Sequence, residues 1–110
     1  MLIITESKLD DNIPNNLITI SGYHEPIRHD RPINGRHGGG VLMYIAENLA
    51  FQHRPEFQSA NYEHLWADVR INDKLFAING LYRPPNEDAD SHKTFLETAE
   101  NILIQLTNYI

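Results

Sequence analysis

The chain contains no cysteine, which excludes disulfides, thiolate metal sites and cysteine nucleophiles together. Nothing in it requires an oxidising compartment, and an intracellular setting, nucleus or cytoplasm, is expected. An excess of positive charge is also missing. Nine Lys and Arg against fifteen Asp and Glu give a net charge of −6, the wrong sign for holding nucleic acid by bulk electrostatics. Any DNA contact must therefore be local or metal-assisted. Long apolar runs are lacking, and Met1 opens directly onto Leu2-Ile3-Ile4 with no basic leader, so neither a signal peptide nor a membrane span is read. The six histidines form neither an H-E-x-x-H arrangement nor an i, i+4 pair, and no G-x-S-x-G elbow occurs. A histidine zinc site and a serine hydrolase are both unsupported.

What is present is a chain of 110 residues, 41% apolar, with those residues spread along its length, enough for one core and one domain. Leu2 to Thr5 is a β-branched run that reads as a buried strand delivering Glu6 at its C-terminal end. Residues 7 to 16 are turn-rich, and Leu17 to Ile20 resume a strand-like pattern. Asn34-Gly35 favours positive φ at both centres of a tight hairpin, with a return strand over Gly39 to Ala46. The triplet Gly38 to Gly40 either cradles a phosphate or permits a sterically crowded strand entry. Around it Arg28, His29, Arg31, Arg36 and His37 form a basic stretch, either a solvated loop or a source of phosphate contacts.

Tyr62 to Ile71 and Lys74 to Leu81 predict a second hairpin turning at Asn72-Asp73, with Leu65, Ala67, Val69 and Ile71 on one face and Trp66 on the other. Apolar residues on both faces imply cover on both sides. Pro84-Pro85 stops the second strand after Tyr82. Phe95, Leu96, Ala99, Ile102, Leu103 and Leu106 then fall at helical spacing, predicting an amphipathic helix over 91–108 with Ser91 as N-cap and this stripe in the core.

Four segments in register, Thr5-Glu6-Ser7-Lys8-Leu9, Gly38-Gly39-Gly40-Val41, Tyr62-Glu63-His64-Leu65-Trp66 and Tyr82-Arg83-Pro84-Pro85-Asn86, resemble the endonuclease/exonuclease/phosphatase family. They are most similar to the N-terminal half of the endonuclease domains of non-LTR (LINE-type) retrotransposons. The resemblance implies an α+β fold that is part of a four-layer, DNase-I-like sandwich, with mixed, mainly antiparallel sheets and a C-terminal helix. It implies Mg²⁺, with Mn²⁺ as a substitute, and hydrolysis of DNA phosphodiester bonds. It assigns Glu6 as the metal ligand and Tyr82 as a catalytic group holding the scissile phosphate. Arg36, Arg83 and Asn86 become candidates for the DNA backbone, Asn86 the weakest because it lies four places beyond Tyr82.

Read for its own chemistry, Glu6 is otherwise a strand-end acid capping a turn, and Tyr82 an aromatic packed at a strand end. The family's upstream Asn, its G-D-x-N element and its terminal Asp-His pair have no counterpart in residues 1–110. One incomplete domain is therefore expected, inactive alone, marginal or self-associating, whose partners are DNA, the rest of the domain and a reverse transcriptase. The alternatives are a non-catalytic DNA- or protein-binding remnant and a phosphatase of the same superfamily.

Overall fold

A computed structural model of the chain describes residues 1–10, 12–30, 39–57, 63–82 and 89–107. Six strands and one helix form among them: β1 (Leu2–Thr5), β2 (Ile27–His29), β3 (Val41–Tyr44), β4 (Ala50–His53), β5 (Glu63–Ile71), β6 (Lys74–Tyr82) and α1 (Ala89–Thr107). They build two three-stranded antiparallel sheets, ordered β1-β3-β2 and β4-β5-β6. The sheets pack face to face, β2 and β3 lying over β5, and β1 and β3 over β6. The chain is thus of mixed α+β class.

Alternation along the strands decides what fills the core. Val41, Met43 and Ile45 point inward from the first sheet, joined by Ile27, and meet Leu65, Ala67 and Val69 of the second. Each is at most 7% exposed, so each contributes about 1 to 3 kcal/mol of burial according to its size. β5 is the central strand of its sheet; its inner face is buried against the first sheet, and of its outer face the end at His64 and Trp66 lies under α1 while Arg70 is exposed. The β5–β6 turn has φ of 50° at Asn72 and 65° at Asp73, the pair of positive values that a two-residue turn needs to match strand twist.

Several expectations are corrected. β1 has the expected bounds but is not buried: it is a sheet edge, and Leu2, Ile3 and Ile4 are 41%, 38% and 36% exposed. Leu17 to Ile20 form no strand. A 3-10 turn at Asn15–Leu17 opens a segment that lies over the outer face of the first sheet. There the Tyr44 hydroxyl donates to the Ile18 carbonyl, and Tyr23 meets Tyr44 edge to face at 6.1 Å. The segment's backbone groups are tied by side chains and turns, leaving no ladder to join.

β3 starts at Val41, two residues later than expected, because Gly39 and Gly40 have φ of 72° and 92°. The Asn34-Gly35 turn itself falls outside the described residues, although β2 and β3 pair as the hairpin demands. β4 was not anticipated at all. Its four residues alternate too briefly to stand out, and Ala50 and Gln52 are exposed.

α1 begins at Ala89, which puts Ser91 inside the helix and not at its cap. Its stripe is only partly core: Ile102 is buried, Phe95 and Ala99 are half-buried, and Leu96 and Leu103 are more than half exposed. The helix lies on the outer face of the second sheet, where Phe95, Thr98, Ala99 and Ile102 oppose His64, Trp66, Asn79 and Leu81 around a cavity of about 50 Å³. No described helix is long and apolar enough to cross a membrane.

Candidate active site

β1 and β6 are edge strands of different sheets, and the packing brings their C-terminal ends together. Glu6 follows β1 directly, and Tyr82 closes β6. Across 76 residues of sequence the Tyr82 hydroxyl donates a 2.7 Å hydrogen bond to Glu6 Oε1. The geometry rests on a close approach higher in the sandwich. At Gly80 a Cβ would lie 3.0 Å from Ile3 Cγ2 and 3.3 Å from Val41 Cγ1, so the missing side chain lets the strands near.

Glu6 is held by an unusual turn. Its φ is 54° and that of Lys8 is 57°, both left-handed values that non-glycine residues adopt at a cost. The turn persists because it is pinned: the Ser7 N–H donates to the Gly40 carbonyl at 3.3 Å, and the Lys8 N–H to that of Gly39 at 2.8 Å. Ser7 Oγ is buried under Gly40 without a hydrogen-bond partner, and a Cβ on Gly40 would lie 2.5 Å from it. Gly39 and Gly40 therefore act as a crowded strand entry locking the Glu6 turn, and Gly38 lies outside the described residues.

The Glu6 carboxylate is exposed. A carboxylate offers about four acceptor positions, so one bond from Tyr82 leaves it able to bind a cation. The fit to Mg²⁺ is that of a single anchor: among the described residues no three His, Asp or Glu side chains converge as a metal cage. Mg²⁺ needs no more than one or two carboxylates when water and phosphate oxygens fill its shell.

A further acid was missed by the sequence reading. Glu63 sits directly across the β5–β6 ladder from Tyr82. Side chains so paired are about 5 Å apart at Cβ, which puts a second acidic residue next to Tyr82 on the same face of the sheet. The two-residue turn at Asn72-Asp73 was the available signal, since it fixes the register and hence the Glu63–Tyr82 pair.

The basic stretch changes meaning. Arg28 does not present its guanidinium to a ligand. It donates to both Asp30 carboxylate oxygens, to the carbonyls of Asp10 and Ile13, and to Asn15 Oδ1. It is the clamp that ties Asp10, Ile13 and Asn15 to β2. His29 is likewise engaged inside, its Nδ1 lying 2.9 Å from the His64 carbonyl oxygen. Arg36, Arg83 and Asn86 lie outside the described residues. Of the sequence candidates, the fold thus brings together Glu6 and Tyr82.

Comparison with known protein families, with curated proteins and with solved structures finds no match to this chain.

Proposed function

We propose that the chain is part of a Mg²⁺-dependent endonuclease acting on DNA phosphodiester bonds, with Glu6 as metal anchor and Tyr82 as phosphate ligand. The observation that carries this reading is the 2.7 Å contact between the two residues, which the motif comparison had singled out independently and which are 76 positions apart. Two face-to-face antiparallel sheets with a helix outside are also compatible with three layers of a DNase-I-like sandwich.

In this reading the bound cation would supply charge neutralisation on the phosphate. The chain's own residues then have defined tasks. Glu6 presents a carboxylate oxygen from a rigid, pinned turn. Tyr82, relieved of Glu6 once that carboxylate is engaged, donates its proton in a hydrogen bond to a non-bridging phosphate oxygen. Neither residue activates the attacking water, and the G-D-x-N and Asp-His elements that would do so are not among residues 1–110.

Mn²⁺ titrated into isotope-labelled protein tests the site without requiring turnover. Paramagnetic broadening is expected to centre on residues 5 to 8 and 82 and to vanish in Glu6→Gln. Plasmid nicking with Mg²⁺ should stay at background for this chain alone. Broadening spread evenly over the acidic surface would refute the assignment of Glu6, as would nicking that survives Glu6→Gln.

A further inference from the structure

Glu6 and Tyr82 reach each other from segments that are held separately. The Glu6 turn is pinned by the Ser7 and Lys8 N–H groups on the carbonyls of Gly40 and Gly39, and Tyr82 is placed by the β5–β6 register. The bond between them thus joins two side chains whose backbones are already fixed. What it decides is the phenolic proton. A tyrosine hydroxyl has one proton to give, and Glu6 Oε1 accepts it at 2.7 Å.

We infer that this bond is a cation-operated latch on an anion site: Tyr82 turns to a phosphodiester only after a divalent cation has engaged Glu6, so the two ligands bind in that order and each strengthens the other. The latch presupposes the proposed roles of Glu6 as cation anchor and Tyr82 as phosphate ligand; it adds an order of binding and a coupling between them.

In the cation-free state Glu6 and Tyr82 both turn an anion away. The Glu6 carboxylate repels a phosphate brought close to it, and the net charge of −6 opposes the approach at longer range. The proton that a phosphate oxygen would accept is already engaged, in a charge-assisted bond, which is stronger than one to a neutral acceptor. Glu6 remains open to a cation throughout, because its exposed carboxylate has about four acceptor positions and Tyr82 fills one. With the cation bound, Glu6 ceases to repel the phosphate, and its oxygens, drained of electron density, become poorer acceptors for the phenol. Tyr82 then donates to a non-bridging phosphate oxygen instead.

Linkage makes the effect mutual: a cation that releases Tyr82 to the anion is itself held more tightly when the anion is present. It also fixes the sign for a variant. Tyr82→Phe removes a bond that stabilises Glu6 chiefly in the cation-free state, so cation affinity should rise. Loss of a ligand or of local packing would lower it.

Mg²⁺ and dimethyl phosphate, titrated singly and together into the isotope-labelled full chain, read both halves of the latch by NMR. Mg²⁺ should move the Glu6 amide and the Tyr82 ring carbons with one midpoint. Dimethyl phosphate should move the Tyr82 ring only when Mg²⁺ is present. Tyr82→Phe should bind Mg²⁺ about threefold more tightly, the effect of losing one hydrogen bond. In that variant the gain in dimethyl phosphate affinity on adding Mg²⁺, part of which is direct attraction to the cation, should shrink by about the same factor. A Tyr82 ring that answers dimethyl phosphate equally without Mg²⁺, a Tyr82→Phe chain that binds Mg²⁺ no better than the parent, or an undiminished gain in that variant would each overturn the latch while leaving Glu6 as the anchor. Absence of any Mg²⁺ response at residues 5 to 8 would overturn anchor and latch together.

Discussion

Gly40→Ala separates two reasons for a glycine at the entry to β3. The first is conformational: φ is 92° there, and an L residue held so costs about 1–3 kcal/mol. The second is steric, because the new Cβ would fall 2.5 Å from Ser7 Oγ, well inside contact distance. Forcing the serine aside adds about 1 kcal/mol or more. The sum, about 3 kcal/mol, lowers the folding constant by about two decades. Ser7→Ala should behave oppositely, since its Oγ is buried and unpaired, and removing an unsatisfied hydroxyl is neutral or stabilising. The double variant keeps the conformational cost and loses the steric one, so the cycle should show a favourable coupling of about 1 kcal/mol. Urea denaturation followed by Trp66 fluorescence measures all four proteins, with an unchanged m-value as the check that stability alone has moved. Gly40→Ala indistinguishable from the parent, or a cycle without coupling, would refute the reasoning.

Arg28→Met removes a guanidinium that serves four residues and strands Asp30; a loss of about 3 kcal/mol is expected from denaturation, against little change if the clamp were merely a surface pair. Asp73→Gly should stabilise by about 0.5–1 kcal/mol, because Asp73 has φ of 65° in a turn that prefers Asn-Gly; an unchanged urea midpoint would count against that turn geometry. Leu2→Lys places a charge on the open, uncharged edge of β1 and should lower concentration-dependent self-association in sedimentation, while equal association of both proteins would clear this edge of responsibility. Gly80→Ala should cost about 1–2 kcal/mol by overpacking against Ile3 and Val41 and should loosen the Tyr82–Glu6 bond, seen as a smaller response of the Tyr82 ring signals to Glu6→Gln than in the parent.

Local chemistry was the legible part of this chain. The β5–β6 hairpin could be read because Asn72-Asp73 fixes the turn and Leu65, Ala67 and Val69 fix the buried face. The amphipathic period gave α1 to within two residues at its start. What failed did so for non-local reasons. β1 is as apolar as a central strand, and only the sheet order reveals that one side of it is open. Leu17 to Ile20 have strand-like composition, but Tyr44 from elsewhere in the chain takes up the Ile18 carbonyl and holds the segment as a cover. Arg28 looked like one of several surface cations, and its four partner residues come from segments on both sides of it that sequence does not join. His64 stood out in the sequence only as one of six histidines and as part of the Tyr62 to Trp66 segment, whereas its burial follows from where α1 lies.

The Glu6–Tyr82 pair shows why two residues can be singled out from sequence while their contact cannot. Strand-end position marks each residue locally, and nothing local says that the two strands, in different sheets, end at the same place. That depends on three side chains being small or absent along one seam. Gly80 lets β6 approach Ile3; Gly40 lets the Glu6 turn close over Ser7; Gly39, at φ of 72°, offers its carbonyl to Lys8. Each glycine alone is explicable as a weak point in a strand. Together they shorten the distance between two chain segments at one end of the sandwich, where Glu6 and Tyr82 meet. A pinned carboxylate beside a phenol costs backbone strain at Glu6 and Lys8 and leaves a buried hydroxyl unpaired at Ser7. Of the four non-glycine residues with positive φ, Asn72 and Asp73 sit in a two-residue hairpin that calls for it, whereas Glu6 and Lys8 are held there by the backbone bonds of Ser7 and Lys8 to Gly40 and Gly39.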